Sequence, residues 1–273
     1  QSARLGTNPY VPGFIASTDT HIAAPGAVDE KNYPGHHGEQ DLAEDGATVD
    51  RLEQGPGGLA VIYAEQNTRA ALFAGMQRRE AYGTSGTRIG LRFFGGTELP
   101  EKLCQQSDMI EKAYTAGVPM GGELQVAEGK APVFIVAAER DAQGGAPLQR
   151  LQIIKGWLDS DGATHEQVID IAGNADNGAS VNLATCALTD NGAARLCAQW
   201  RDPDFDPAEP SFYYARAVEN PSCRWNTYAC LAHSVDCSAE VPETLAHCCN
   251  ETVPKTIQER AWSSPIWYAG PND

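Results

Sequence analysis

The chain has 273 residues, enough for one large domain or two ordinary ones, and 42% of them are apolar, so a buried core is expected. The formal net charge of −16 argues against nucleic acid and anionic membranes as partners, because both require basic surfaces, and it favours metal cations. No apolar run approaches the roughly 20 residues that a membrane-spanning helix needs, and the first residues show no signal peptide.

The first candidate site follows a short apolar run at residues 11–16, which predicts a strand buried on both faces. Asp19 and His21 come directly after this run, where side chains of a barrel or a parallel sheet face the ligand. Two residues apart in extended backbone, they would point the same way. An oxygen and a nitrogen donor together suit zinc, manganese or iron. The alternative is that Asp19 caps a turn and that His21 is an ordinary polar residue.

A long loop is predicted next, because residues 22–58 are rich in Gly, Pro, Asp and Glu. It follows Asp19 and His21 directly, so we expect it to overhang them. His36 and His37 lie within it, and either could add a metal ligand or contact an anionic substrate. The alternative is a surface pair of histidines in a flexible loop.

The remaining pattern changes from α/β to mainly β. An apolar strand at 58–63 precedes a helix whose N-cap is Asn67 or Thr68. After a turn near residues 83–87, short strands separated by Gly, Asn and Asp predict an antiparallel β-sandwich. These strands are expected at 88–94, 133–138, 148–158, 168–171, 181–200 (a hairpin) and 212–219. We therefore place one domain at 1–86 and a second at 87–273, the latter with a Cys-rich insertion at 222–250.

Seven of the eight cysteines lie after residue 185, and an even number concentrated in a loop-rich half predicts disulfides and an oxidising compartment, the periplasm or the exterior. Asn191-Gly192 is a strong two-residue hairpin signal, and pairing across it sets Cys186 opposite Cys197, within disulfide reach. We therefore predict a Cys186–Cys197 bond. The adjacent Cys248 and Cys249 are expected to bond two different partners among Cys223, Cys230 and Cys237.

Nine stretches, taken together, resemble the C-terminal part of a large bacterial family of unknown function. That family is related to the polymerase-and-histidinol-phosphatase (PHP) superfamily of metal-dependent phosphoesterases. The similarity covers nearly the whole chain apart from residues 222–250. The stretches are 17–21 (Ser-Thr-Asp-Thr-His), 78–82, 84–89, 92–96, 117–122, 152–157, 202–206, 212–216 and 259–268.

The resemblance implies an α/β barrel that holds two or three metal ions, with a last Asp-x-His motif that Asp19 and His21 match. The helix at 68–80 would close the barrel, and Ile89 onward would be an appended β domain. The superfamily's opening His-x-His motif is absent, and the chain begins with Gln1 rather than Met. We therefore expect a fragment or processed product, inactive or weakly metal-binding alone, whose missing N-terminal barrel part acts as its partner.

The predicted function is metal-assisted hydrolysis of a small phosphorylated or polymeric substrate, with a divalent zinc, manganese or iron ion as cofactor. The overall fold class is then α+β and mainly β: a remnant of a PHP-like barrel followed by a disulfide-stapled β-sandwich. The alternative function is a secreted binding or structural module for a glycan or a protein. In that case the five tryptophans would offer a stacking surface, unless most of them pack in the core.

Overall fold

The computed structural model describes residues 10–270. Its strands are β1 Leu59–Ile62, β2 Ala81–Thr84, β3 Gly90–Gly96, β4 Val118–Pro119, β5 Val133–Glu139, β6 Leu148–Leu158, β7 Thr164–Gly173, β8 Arg195–Arg201, β9 Ser211–Glu219, β10 Ser222–Cys223, β11 Thr256–Ile257, β12 Arg260–Ser263 and β13 Ile266–Tyr268. Its α-helices are α1 Arg69–Gln77, α2 Met109–Ala116 and α3 Trp225–Ala232. Four 3₁₀ helices lie at Glu30–Asn32, Gly38–Asp41, Leu103–Gln105 and Glu243–Cys249.

Two antiparallel sheets form the body of the structure. The large sheet has the strand order β1-β2-β12-β9-β6-β7, with β13 also paired to β9. The small sheet has the order β4-β3-β5-β8. Every strand pair in both sheets is antiparallel. β10 and β11 form a separate two-stranded ribbon.

Alternation along the strands of the small sheet divides the core into two layers. Successive side chains of a strand point to opposite faces, so Phe93 and Phe134 face the large sheet and pack with Leu151 and Tyr213. Their neighbours Phe94, Val133 and Ile135 face the other way and pack against α2 and the 3₁₀ turn before it. The order of layers is therefore large sheet, small sheet and helix.

The predicted class, α+β and mainly β, is confirmed by these sheets. The described part of residues 1–86 contains β1, β2 and α1, and no parallel α/β unit of a barrel. β2 pairs with β12, so strands from both sides of residue 86 belong to one sheet. The division of the chain at residues 86 and 87 stays a prediction.

One local expectation is confirmed and one is wrong. Thr68 caps α1, because its hydroxyl accepts a hydrogen bond from the Ala71 N–H at 3.3 Å. The strand expected at residues 11–16 is absent from the described chain. This stretch contains Pro12 and Gly13 and makes single anchoring hydrogen bonds, from the Phe14 N–H to Ser264 and from Arg79 to the Val11 carbonyl, instead of a ladder. Among residues 10–270, no helix combines the length and the apolarity needed to cross a membrane.

The predicted Cys186–Cys197 disulfide is wrong: Cys104 bonds Cys197 and Cys186 bonds Cys223. The predicted hairpin does not form. β8 pairs with β5, which sets Cys197 opposite Ala137, while the preceding segment folds back on itself through an isolated bridge between residues 181 and 188. A local turn signal was therefore overridden by pairing with a strand that lies some 60 residues earlier.

The prediction for the adjacent cysteines is confirmed. Cys248 bonds Cys230, and Cys249 bonds Cys237. All eight cysteines are thus in disulfides. Three of the four bonds involve the segment 222–250, so this Cys-rich insertion is cross-linked both to itself and to the body of the chain.

Candidate metal centre

Glycines next to β1 and within β2 let the N-terminal segment lie directly on the large sheet. A Cβ added to Gly83 would lie 2.7 Å from the Ala16 backbone nitrogen, so no other residue leaves room for this crossing. The segment is also hydrogen-bonded, because the Phe14 N–H donates to the Ser264 hydroxyl at 2.8 Å. The Gly58 N–H donates to the Ser17 carbonyl at 2.9 Å. These contacts fix the position at which the chain reaches His21.

Three histidines converge at the end of this segment. The ring nitrogens of His21, His36 and His37 that could bind a metal all lie within 4.8 Å of one another. The His21 N–H donates to the His36 carbonyl at 2.8 Å, so the long loop does fold over His21 as expected. His36 is buried, with 9% of its surface exposed, whereas His21 and His37 are exposed. The cluster is therefore closed on one side and open to solvent on the other.

The spacing of two of these nitrogens suits a shared cation. His21 Nδ1 lies 3.1 Å from His36 Nε2. Two ligands of a tetrahedral zinc ion with bonds of about 2.0–2.1 Å are about 3.3 Å apart. Without a cation, one of the two nitrogens must carry a proton that it donates to the other. The donor set, three imidazoles with an open side, is also that of a catalytic zinc site.

Two carboxylates, which the sequence interpretation did not single out, hold the loop in place. Asp50 accepts hydrogen bonds from the His36 N–H at 3.0 Å and from the Tyr33 hydroxyl. Burial, together with this bond to Asp50, raises the pKa of the Tyr33 hydroxyl above its ordinary value, so the hydroxyl remains a donor. Asp41 accepts from the His37 N–H at 2.6 Å and lies 3.4 Å from His37 Nδ1. A carboxylate behind a metal-binding imidazole is the usual way of orienting the ring.

The loop is further attached to helix α3 through Trp225. The buried indole N–H donates to the Gln54 carbonyl at 2.7 Å, and the ring packs on Tyr33 with centroids 5.3 Å apart. The Trp225 backbone N–H donates to the Glu30 carboxylate. Both ends of the loop are thus fixed to the same helix, which favours one geometry for the histidines.

Asp19 lies outside the histidine group. Its φ angle of 53° is in the left-handed region, so the backbone between Asp19 and His21 is not the extended one that would align their side chains. Asp19 is exposed, and no carboxylate joins the three histidines within 4.8 Å among the described residues. Its assignment as a ligand stays a prediction.

A second group of metal-binding residue types is chemically different. Cys230, His247 and Cys248 lie together, but the two sulfurs form a disulfide. A disulfide sulfur carries no thiolate charge and cannot act as the metal ligand that a cysteine normally provides. This group offers only one imidazole.

Several of the tryptophans pack against neighbouring side chains. Trp157 stacks on His165 with ring centroids 5.0 Å apart, and Trp267 packs on Phe212 at 5.3 Å. Trp225 is buried. A glycan-stacking role for the tryptophans stays a prediction.

Comparison with protein families matches residues 1–270 to the family described as "Protein of unknown function (DUF3604)". No curated protein matches the chain. The family match extends through the Cys-rich insertion, so the histidine cluster and the disulfide-linked part of the chain are both within it.

Proposed function

This chain belongs to the DUF3604 family, and we propose that it forms part of a metal-dependent hydrolase whose metal ion is held by His21, His36 and His37. The convergence of three imidazole nitrogens within 4.8 Å is the observation that carries the proposal. Zinc, manganese and iron are all compatible with imidazole ligands.

The bound ion would supply a water molecule of lowered pKa and polarise the substrate bond that is hydrolysed. The chain's own residues position the ligands. Asp50 holds the backbone of the buried His36, and Asp41 lies behind His37. The exposed rings of His21 and His37 leave the site accessible to a substrate from one side.

The Asp19–His21 match to the PHP superfamily supports a wider proposal. In the full protein an N-terminal barrel part would add further ligands, including the His-x-His motif that this sequence lacks. The chain alone would then be inactive or weakly metal-binding, and Asp19 would ligate only in the complete site. The substrate would be a small phosphorylated or polymeric molecule.

The four disulfides support a location in the periplasm or outside the cell. Disulfides persist in oxidising compartments and are rare in the cytosol of most organisms. All eight cysteines are paired, and the bonds join segments as far apart as 93 residues. We propose that the chain folds in such a compartment.

Metal titration of the purified chain tests the proposed centre. We expect about one zinc or manganese ion per chain, and we expect His21→Ala or His36→Ala to weaken binding at least about tenfold, since loss of one of three ligands leaves an incomplete site. His165→Ala is the matched control, because His165 is an imidazole on β7 that stacks on Trp157. The same samples, and the longer parent protein, are assayed with phosphomonoesters and phosphodiesters.

Equal metal binding by the wild type and both variants would contradict the metal centre. Asp19→Ala in the longer parent tests the wider proposal: a loss of metal or activity supports the PHP-like site, and an unchanged metal content and rate rejects it.

A further inference from the structure

A histidine lies equally close to both sulfurs of one disulfide in the Cys-rich insertion. Cys230 is on α3, whereas Cys248 and His247 are neighbours on the 3₁₀ helix at Glu243–Cys249. His247 Nε2 lies 3.7 Å from each of the two sulfurs. All three residues are half-buried, so the group is accessible to solvent on one side. Bonded to each other, the sulfurs are not metal ligands, but as thiolates they would be strong ligands for zinc.

The spacing of the nitrogen and the sulfurs is close to that of a zinc site. With bonds of about 2.3 Å to sulfur and about 2.0–2.1 Å to nitrogen, a thiolate and an imidazole on one tetrahedral zinc ion are about 3.5–3.6 Å apart. The separation in the folded chain is 3.7 Å for both sulfurs. Two thiolates on one zinc ion are about 3.8 Å apart, so the sulfurs need only separate from bonding distance once the disulfide is reduced. The imidazole of His247 is already in place.

The two helices that carry these side chains are also held together by hydrogen bonds that do not involve the disulfide. The Thr227 hydroxyl on α3 donates to the Lys255 carbonyl at 2.7 Å. The Lys255 ammonium group in turn donates to the His247 carbonyl at 2.8 Å and to the Cys248 carbonyl at 2.9 Å. Lys255 therefore joins α3 to the 3₁₀ helix through both its backbone and its side chain. We expect the three ligands to stay close together after this one disulfide is reduced.

The electrostatics around His247 suit a metal ligand as well. Burial and, secondarily, the positive charge of Lys255 lower the pKa of His247 below its ordinary value. The imidazole is therefore neutral near pH 7, which is the form that binds metals. A lysine close to a cysteine also favours the thiolate over the thiol, and Lys255 contacts the backbone of Cys248 directly. Both effects favour the protonation states that zinc requires.

We propose that the Cys230–Cys248 disulfide is the oxidised form of a zinc site made by Cys230, His247 and Cys248. A dithiol reductant supplies two electrons: its own two sulfurs form a disulfide, the Cys230–Cys248 bond breaks, and both cysteines become thiols. Zinc then binds the two sulfurs and His247 Nε2, and the two thiol protons pass to solvent. The fourth position, on the exposed side, is taken by water. The site is independent of the proposed centre at the three clustered histidines.

Titration of the chain with cobalt(II), a coloured substitute for zinc, tests this proposal. One sample is kept oxidised, and the other is reduced with dithiothreitol, freed of the reductant and handled without oxygen. We expect reduction to add about one cobalt ion per chain, together with the near-ultraviolet charge-transfer absorption of cobalt–thiolate bonds. Zinc should displace the cobalt and remove this absorption. A site made only of histidines has no thiolate absorption, so the result does not depend on the proposed metal centre.

Variants distinguish a folded site from capture by loose cysteines. His247→Ala should weaken cobalt binding by the reduced chain at least about tenfold, because two thiolates alone leave the site incomplete. His233→Ala is the matched control, since that imidazole is exposed at the C-terminal end of α3, and it should leave the affinity unchanged. Replacing both Cys104 and Cys197 by Ser removes a different disulfide and should leave the thiolate absorption in place. Cys230→Ser should remove most of it.

The proposal fails on any of three results. The first is that the reduced chain binds no more cobalt than the oxidised chain, whether because it unfolds or because the sulfurs do not converge. The second is equal affinity of the reduced wild type and His247→Ala, which would mean binding by cysteines without the imidazole. The third is a thiolate absorption that persists in Cys230→Ser and is lost when Cys104 and Cys197 are replaced, which would place the ligands elsewhere.

Discussion

At the scale of single residues, the most consequential polar contact outside the histidine cluster is a buried ion pair that joins the sheets. Lys155 on β6 lies 2.7 Å from the carboxylate of Asp202, which follows β8. The Tyr213 hydroxyl donates to the same carboxylate at 2.7 Å. Lys155 and Asp202 are only 4% and 2% exposed. The large and small sheets are therefore linked by charges as well as by packing.

Removing one member of this pair should destabilise the fold strongly. Asp202→Ala leaves the ammonium group of Lys155 buried without its counter-ion, and we expect the free energy of unfolding to fall by about 3–5 kcal/mol. Urea denaturation followed by tryptophan fluorescence measures the change. Asp108→Ala is the control, because Asp108 pairs with Lys112 on the surface. The denaturation midpoint of this variant should stay near that of the wild type. Equal midpoints for the two variants would contradict a structural role for the buried pair.

At the scale of elements, the histidine cluster depends on how the N-terminal segment crosses β2. The crossing occurs at Gly83, which pairs with Ala60 on one side and Trp262 on the other. A strand interior rarely contains glycine without a reason, and here the reason is the close approach of the Ala16 backbone. The position of His21 is thus set by a residue 62 positions away in the sequence.

A methyl group at this crossing should displace the segment. We expect Gly83→Ala to lower the free energy of unfolding by about 1–3 kcal/mol, the usual cost of overpacking, and to weaken metal binding at His21 if the proposed centre is correct. Gly90→Ala is the matched control, because a Cβ there has its nearest neighbour at an ordinary 3.8 Å. Urea denaturation and metal titration are the measurements. A Gly83→Ala protein as stable as Gly90→Ala would show that the segment does not rest on the strand as described.

At the scale of the whole molecule, stability should depend on pH through carboxyl groups from three distant segments. Burial raises the pKa of Glu219 to about 8, and it raises those of Glu259 and Glu30 to about 7, from an ordinary value of 4.5. At pH values between the ordinary pKa of 4.5 and these raised pKa values, the folded chain binds more protons than the unfolded chain. The stabilisation is therefore complete below about pH 4.5 and is lost as the pH rises toward 8.

We accordingly expect the free energy of unfolding to fall between pH 5 and pH 8. The slope is at most about 1.4 kcal/mol per pH unit for each group. Glu219→Gln should flatten the decline, most of all near its upper end, because the amide does not titrate. Glu139→Gln should leave the slope unchanged, since that side chain is 68% exposed. Urea denaturation at a series of pH values measures both slopes, and a stability that rises with pH over this range would contradict the burial of these carboxyl groups as unpaired acids.

The local pattern of apolar and polar residues was sufficient to predict much of the secondary structure. The strand expected at 148–158 is β6, and those at 133–138 and 212–219 differ from β5 and β9 by one residue at an end. The cap at Thr68 and the separate partners of Cys248 and Cys249 could also be predicted from the sequence. Each of these features depends on residues near in sequence, through alternation, capping or the geometry of adjacent positions.

Pairing and burial were decided only by the tertiary structure. The sequence placed His21 directly before the loop that contains His36 and His37, but the convergence of the three depends on the crossing at Gly83 and on the attachment of the loop to Trp225. Cys197 bonds Cys104 because β8 pairs with β5 and not with the segment that directly precedes β8 in the sequence. The burial of Glu219 likewise results from loops that meet only in the folded chain. The sequence by itself determined which segments extend or coil, because those preferences are local, whereas the folded chain decided which segments meet, because that choice is set by the burial of the whole core.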